Sequence, residues 1–207
     1  MAFDGLFYAR PVTTITINDV NEAPSITSDA AFTAPENQTA IGTVTATDPE
    51  SDTLTFSVSG SDLAIDSSTG VLSFVSAPDF ETTSSVTATV TVSDGTLTDT
   101  QEVTVTVTDV NEAPTITSAS SFSVDENETS VGQLTATDPD GDEVSFSLAG
   151  TDAASFTLNS PLAFAAAPDF ESGKTSYSLT IVASDGTNSV EQEVTISVNN
   201  LNDNAPV

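Results

Sequence analysis

The sequence predicts an all-β fold built from two tandem repeats of about 90 residues. The hexapeptide Asp109-Val110-Asn111-Glu112-Ala113-Pro114 is nearly identical to residues 19–24, and a longer variant occupies residues 200–206. The offset between the first two copies is 111 − 21 = 90 residues. Between the copies, short runs of Val, Ile, Phe and Leu alternate with Thr and Ser and are broken by Gly, Pro, Asp and Asn, which is typical of strands and turns. A period of this size is too long for a solenoid unit and suits a small β-sandwich.

The alternating runs predict seven strands in the first repeat, and the second repeat follows the same scheme. The strands are expected near residues 25–33, 42–47, 54–58, 63–66, 71–74, 85–92 and 97–108. The clearest run is 86–92, in which every apolar residue falls on one face. No amphipathic helix is predicted. Seven strands in about 90 residues indicate an immunoglobulin-like Greek-key sandwich, so we predict two such sandwiches joined end to end.

The repeats divide the chain into six segments. Residues 12–19 align with residues 102–109, so we interpret segment 1–18 as an N-terminal tail plus the last strand of a preceding repeat, and the chain as an internal piece of a longer protein. The remaining segments are the linker 19–24, repeat 1 over 25–108, the linker 109–114, repeat 2 over 115–199 and the C-terminal linker 200–207.

Composition excludes several classes of partner and of chemistry. The 207 residues include 2 Lys and Arg against 31 Asp and Glu, a formal net charge of −29, with no His and no Cys. Such a chain would repel nucleic acid. It contains no run of about 20 apolar residues, so direct membrane insertion is not predicted. We predict that it is not an enzyme, because only Lys174 could act as an amine base and the carboxylate pair Asp79 and Glu81 recurs in each repeat. The remaining ligand types are oxygens, which suit hard cations such as Ca²⁺.

The strand order predicts where the acidic loops meet. Consecutive strands in a sandwich run mostly antiparallel, so loops alternate between its two ends. One end of repeat 1 should therefore adjoin the entry end of repeat 2 at the linker 109–114. The acidic residues expected there are Glu36, Asp79, Glu81, Asp109 and Glu112 from the first set and Asp138, Asp140, Asp142 and Asp185 from the second. Nine carboxylates without a basic partner would repel one another when desolvated.

Calcium would resolve this repulsion, since Ca²⁺ takes six to eight oxygen ligands. We predict two or three ions held by these nine acids together with Asn111. For any single loop, Asp, Asn, Gly and Pro remain ordinary turn residues. The loops recur at one offset, however, because 126 − 36, 138 − 48 and 169 − 79 each equal 90. Incomplete copies of the same site are expected at the two chain ends, where calcium should bind weakly.

In this order the loops resemble the motifs of the cadherin family. Repeat 1 carries Pro35-Glu36-Asn37, Ala46-Thr47-Asp48-Pro49-Glu50, Asp79-Phe80-Glu81, Ser93-Asp94-Gly95 and the hexapeptide 109–114, and repeat 2 carries the corresponding set. The extra acids Asp52 and Asp142 resemble bacterial cadherin-like repeats of large RTX-type surface adhesins and secreted polysaccharide-degrading proteins. The resemblance implies Ca²⁺ between successive repeats of the same chain. Glu112 stands where the family has Asp, and the second Asn before Pro114 is missing, which puts one of three ions in doubt.

The resulting hypothesis is a calcium-rigidified extender or adhesion module of a large bacterial surface or secreted protein, located outside the cell. The alternative is a cadherin-like recognition module for cell–cell or cell–substrate adhesion, with glycans or another adhesin as partner. Sugar sites usually need exposed aromatic platforms, and this chain has no Trp and only two Tyr. The glycosylation sequons at Asn37 and Asn127 lie beside predicted ligands and are interpreted as turns.

Overall fold

The computed structural model describes residues 14–159 and 161–202. The chain forms two compact units. The first contains the described residues through Ala34, Gln38–Pro78 and Ser85–Val107. The second contains Pro35–Asn37, Asp79–Ser84 and the described residues from Thr108 onward. The loops 35–37 and 79–84 of repeat 1 therefore belong to the same compact unit as repeat 2.

Repeat 1 is a sandwich of a four-stranded and a three-stranded sheet. Its strands are β1 (Ser25–Ile26), β2 (Ala31–Pro35), β3 (Ala40–Thr43), β4 (Ala46–Thr47), β5 (Thr55–Val58), β6 (Leu63–Ile65), β7 (Val71–Phe74), β8 (Ser85–Ser93) and β9 (Thr98–Thr108). The sheet orders are β2-β9-β8-β5 and β3-β7-β6, with β1 and β4 as a separate pair. The last strand lies between β2 and β8, so the chain returns across the sheet as in a Greek key. The long hairpin β8–β9 pairs antiparallel from Ser85 opposite Thr106 to Ser93 opposite Thr98.

Repeat 2 has the same topology. Its strands are β10 (Thr115–Ile116), β11 (Ser121–Asp125), β12 (Ser130–Gly132), β13 (Ala136–Thr137), β14 (Ser145–Ala149), β15 (Phe156–Leu158), β16 (Leu162–Phe164), β17 (Ser176–Ser184) and β18 (Ser189–Asn199). The sheets are β11-β18-β17-β14 and β12-β16-β15, with β10 and β13 paired separately. Strand β11 runs parallel to β18. Two short 3₁₀ turns, Ala153–Ser155 and Phe170–Ser172, are added, and the described residues contain no α-helix.

The core of each sandwich comes from alternate residues of the two longest strands. In repeat 1, Val90 and Val92 of β8 and Val103 and Val105 of β9 are all fully buried. Leu179, Ile181, Val194 and Ile196 occupy the same layer in repeat 2. Burying each such side chain stabilises the fold by about 1.5–3 kcal/mol. The intervening Thr and Ser residues point outward, as the period of two predicts.

Two predicted strands are each split in two, so seven predicted strands become nine. The strand predicted over 25–33 leaves one sheet after β1, which pairs with β4, and joins the other as β2 beside β9. The strand predicted over 42–47 begins earlier and is interrupted between β3 and β4, and its register with β7 shifts between Ala40 and Gly42. A change of sheet partner and a bulge both break the hydrogen-bond ladder.

The strand predicted over residues 12–19 is absent from its described part. Residues 12 and 13 lie outside the described residues, and 14–19 form no strand. The side chains of Ile15 and Ile17 are 82% and 91% exposed. A strand needs a partner for its backbone groups, and no strand of the described residues pairs with this segment. Its origin as the last strand of a preceding repeat remains an interpretation of the alignment.

Candidate metal site at the 109–114 linker

Glu36, which follows β2, ties three loops of the second unit together. Its carboxylate is 3% exposed. Oε2 accepts a hydrogen bond from the backbone N–H of Phe80 at 2.7 Å, and Oε1 accepts one from Val110 at 2.9 Å. The loop 35–37, the loop 79–84 and the linker 109–114 therefore meet, as the strand-order argument predicted. A buried glutamate is tolerated here because both of its oxygens have donors.

The linker is also hydrogen-bonded to two loops of repeat 2, the second loop (residues 138–144) and the sixth loop (residues 185–188). The N–H of Glu112 donates to Asp140 Oδ2 at 2.7 Å, and Asn111 Nδ2 donates to Asp185 Oδ2 at 2.9 Å. Asp138 organises the second loop, since its Oδ1 accepts from the N–H groups of Asp140 at 3.1 Å and Asp142 at 3.3 Å. Acidic residues from four separate loops and from the linker thus lie together in one compact unit.

Four of the predicted ligands form a compact cluster. Glu36, Glu81, Asp109 and Asp140 each offer a carboxylate oxygen, and these oxygens all lie within 4.8 Å of one another. We call these residues the four-carboxylate cluster. Like charges at this spacing disfavour the ionised forms.

Two members of the cluster have raised pKa values. Partial desolvation raises the pKa of Asp109, and the charges of Asp140 and Glu36 add to the effect. For Glu81 a backbone hydrogen bond lowers the pKa, but desolvation and the charges of Glu36 and Asp140 outweigh it, so the pKa is raised overall. The cluster therefore holds negative charge that protein groups leave uncompensated.

Two buried carboxylate oxygens, one of them on a member of the cluster, have no hydrogen-bond donor among the described residues. They are Oδ2 of Asp138 and Oδ1 of Asp140. A buried acceptor without a partner is costly, and more so when it is charged. The surrounding donor set consists of carboxylate and amide oxygens, with no nitrogen or sulfur ligand, which is the set that Ca²⁺ prefers. The residues present therefore fit a hard divalent cation.

The other predicted ligands lie near the cluster with other hydrogen-bond partners. Asp79 Oδ1 accepts from the N–H of Thr82 at 3.2 Å, and Glu112 Oε1 accepts from Asn37 Nδ2 at 2.6 Å. Asp185 Oδ1 accepts from the N–H groups of residues 187 and 188. Desolvation raises the pKa of Asp185, but its hydrogen bonds, led by that from Asn111, lower it overall.

One contact at the linker was not predicted from the sequence. Asn188 Nδ2 donates to the backbone oxygen of Asn111 at 3.1 Å. At the matching position of repeat 1, 188 − 91 = 97, the chain has Leu97, so no recurrence signals this residue. The sequence predicts Asn37 only as a turn residue, and its φ of 62° agrees with a turn. The hydrogen bond from its side chain to Glu112 was not predicted.

Both ends of the described chain carry partial copies of this arrangement. In the second unit Glu126 is 1% exposed, its oxygens accept from the N–H groups of Phe170 and Leu201, and it clusters with Asp169 and Glu171. Asn202 of the C-terminal linker is described, whereas Asp203 lies outside the described residues.

The first unit carries the complementary partial copy. Asn21 Nδ2 donates to Asp94 Oδ2 at 2.8 Å and the N–H of Glu22 donates to Glu50 Oε2 at 3.0 Å. Asp48 Oδ2 is buried, and no residue that the structure describes donates to it, which is also true of its counterpart Asp138 Oδ2.

Tyr177 does not form an open platform for a sugar ring. Its ring packs edge-on against Phe164, with centroids 5.0 Å apart, and against Phe156 at 5.7 Å. Both phenylalanines are buried. Lys174 Nζ lies 4.6 Å from the Tyr177 ring centroid and pairs with Asp152. The aromatic group therefore belongs to the core and its ionic cover, which lends no support to carbohydrate recognition at this position.

The sandwiches define the class of this protein as tandem Ig-like repeats. The chain belongs to the Bacterial Ig domain family, which it matches twice, over residues 21–106 and 111–197. No curated protein matches the sequence. No helix in the part of the chain that the structure describes is long and apolar enough to cross a membrane.

Solved cadherin ectodomains share the fold. Human protocadherin-24 EC1-2 is 24% identical with a TM-score of 0.64, and the match covers 86% of this chain and 99% of that one. Drosophila N-cadherin EC1-4 is 18% identical with a TM-score of 0.60, covering 87% of this chain and 50% of that one. Protocadherin gamma B2 domains 3-6 are 25% identical with a TM-score of 0.58, and the match covers 89% of this chain and 49% of that one. The predicted cadherin-like tandem repeats and their all-β Ig-like fold are confirmed.

Proposed function

We propose that the chain is a calcium-binding extender or adhesion module of a large bacterial surface or secreted protein. The observation that carries this proposal is a pair of buried oxygens, Asp138 Oδ2 and Asp140 Oδ1, that no donor of the described residues reaches; Asp140 belongs to the four-carboxylate cluster. Solvent water is excluded from these oxygens and no protein donor in the described residues reaches them. A bound cation supplies the missing positive charge.

The ligands come from loops that are distant in sequence. Glu36, Glu81, Asp109, Asp140 and Asp138 form the primary set, and Asp79, Asn111, Asp142 and Asp185 complete the site from the surrounding loops. Bound Ca²⁺ neutralises their mutual repulsion and restricts the 109–114 linker. Extracellular modules bind calcium with dissociation constants of about 0.1–1 mM, which suits the outside of a cell and not the cytosol. We therefore place the protein at the cell surface or in the medium.

Calorimetric titration of Ca²⁺ into chelator-stripped protein tests the proposal. We expect saturable binding near or below millimolar Ca²⁺, weaker binding of Mg²⁺, and a loss of affinity of at least tenfold in Asp140→Asn. The matched control is Glu191→Gln, which removes an exposed acid from β18 without touching the cluster. Mass action predicts that calcium at about 100 times the dissociation constant raises the free energy of unfolding by about 2.7 kcal/mol. Absence of saturable binding up to several millimolar Ca²⁺ would refute the proposal.

A further inference from the structure

The side chain of Glu112 is hydrogen-bonded to the loop 35–37, and Glu112 is not one of the residues of the four-carboxylate cluster. Its Oε1 accepts from Asn37 Nδ2 at 2.6 Å, while its backbone N–H donates to Asp140 Oδ2 at 2.7 Å. The cluster itself is formed by other residues. Both Asn37 and Glu112 belong to the second compact unit. A hydrogen bond from an amide to a carboxylate is about twice as strong as one between neutral groups.

The rest of the linker is held by hydrogen bonds that require no cation. The N–H of Val110 donates to Glu36 Oε1 at 2.9 Å. Asn111 donates to Asp185 Oδ2 at 2.9 Å and accepts through its backbone oxygen from Asn188 at 3.1 Å. Three consecutive linker residues are thus bonded through side chains of the surrounding loops. The Asn37–Glu112 bond adds a direct side-chain link from this segment to the loop 35–37.

We propose that Asn37 and Glu112 form a clasp that positions the 109–114 linker, and that Glu112 acts as a positioning residue and not as a calcium ligand. The side chain of Glu112 reaches Asn37 at a position where the cadherin family has the shorter Asp. The statement about ligands rests on the proposed calcium function. The statement that the clasp orders the linker does not, because the hydrogen bonds are made by protein groups alone.

Amide exchange in excess chelator tests the clasp without calcium. The reporters are the N–H groups of Val110 and Glu112, followed by NMR. Asn37→Gly removes the side-chain amide and retains the left-handed backbone, since φ is 62° and Gly adopts such values readily. Asn127→Gly is the matched control, with φ of 64° at the same position of repeat 2. We expect exchange about tenfold faster in Asn37→Gly, as for the loss of one hydrogen bond to a charged group, and no change in Asn127→Gly.

Glu112→Gln separates positioning from metal ligation. Gln retains an oxygen that accepts from Asn37 but lacks the charge of a carboxylate ligand. We expect exchange within about threefold of the wild type, unchanged calcium stoichiometry, and a loss of calcium affinity well below tenfold, because Gln removes a nearby charge but no ligand. Asp140→Asn should lose at least tenfold. Unaltered exchange in Asn37→Gly, or a tenfold loss of calcium affinity in Glu112→Gln, would overturn the proposal. If the wild type binds no calcium, the proposed function fails, and the exchange comparison in chelator still decides whether the clasp exists.

Discussion

Gly70→Ala tests the close backbone approach at the start of β7. Gly70 has a φ of +71°, and a Cβ at this position would lie 2.2 Å from the backbone oxygen of Val44. The two residues are already joined, because the N–H of Val44 donates to the oxygen of Gly70 at 2.9 Å. Val44 is buried in the core of repeat 1. Neither backbone can move away without breaking that hydrogen bond.

The expected loss of stability has two parts. A non-Gly residue in the left-handed region costs roughly 1–2 kcal/mol, and overpacking against a fixed neighbour adds about 1–3 kcal/mol. Gly70→Ala should therefore lower the free energy of unfolding by about 2–5 kcal/mol. Gly60→Ala is the matched control within the same repeat. Its φ is +87° and nothing lies within 4 Å of the added Cβ, so only the first part applies.

Urea unfolding at fixed calcium, followed by circular dichroism, measures the difference between these variants. We expect Gly70→Ala to be less stable than Gly60→Ala by about 1–3 kcal/mol, the overpacking part alone. Equal losses in the two variants, within about 0.5 kcal/mol, would refute the steric argument and leave backbone conformation as the whole effect. An altered slope with urea would instead indicate a change in the unfolding transition.

Two further predictions concern the repeats separately. Gly132→Ala in repeat 2 should destabilise the protein more than Gly42→Ala at the same position of repeat 1. The Cβ added at residue 132 would lie 2.6 Å from the Phe122 ring, whereas the Cβ added at residue 42 would lie 3.2 Å from the Phe32 ring. Thermal unfolding of both variants measures the difference. Hydrogen bonds from Ser68 and Thr69 lower the pKa of Asp66. Its stabilising contribution is therefore complete above its unfolded pKa of about 3.9 and is lost as the pH falls toward the folded value. Asp66→Asn should remove that pH dependence in urea titrations at pH 6 and pH 3, and an unchanged dependence would contradict it.

Strand positions followed from local pattern, whereas sheet membership did not. The run predicted at 71–74 coincides with β7, since Gly70 precedes it and the buried Leu72 and Phe74 stand on either side of Ser73. The run predicted at 25–33 contains a crossing between two sheets, which depends on which strands lie beside it. Alternation reports which face of a strand is buried and carries no information on its neighbours. Long-range pairing, such as that of β2 with β9, could therefore be inferred only from the fold class.

The site was predictable at the level of loops and not at the level of side-chain direction. Strand parity brought Glu36, Glu81, Asp109 and Asp140 together, because loop position follows from chain direction alone. It could not show that the Glu112 carboxylate turns to Asn37, because a long side chain has several staggered rotamers. Recurrence at a 90-residue offset was the useful signal, and contacts made by residues that do not recur were missed.

The geometry at each linker is determined within a single unit. Asn21 donates to Asp94 in the first unit, and Asn111 donates to Asp185 in the second. The backbone N–H of Glu22 donates to Glu50, and that of Glu112 donates to Asp140, the matching acid of the next repeat. The first linker adopts these bonds although residues 14–19 pair with no strand of the described residues. Each repeat therefore positions its own entry segment by hydrogen bonds from that segment to acids of its own loops.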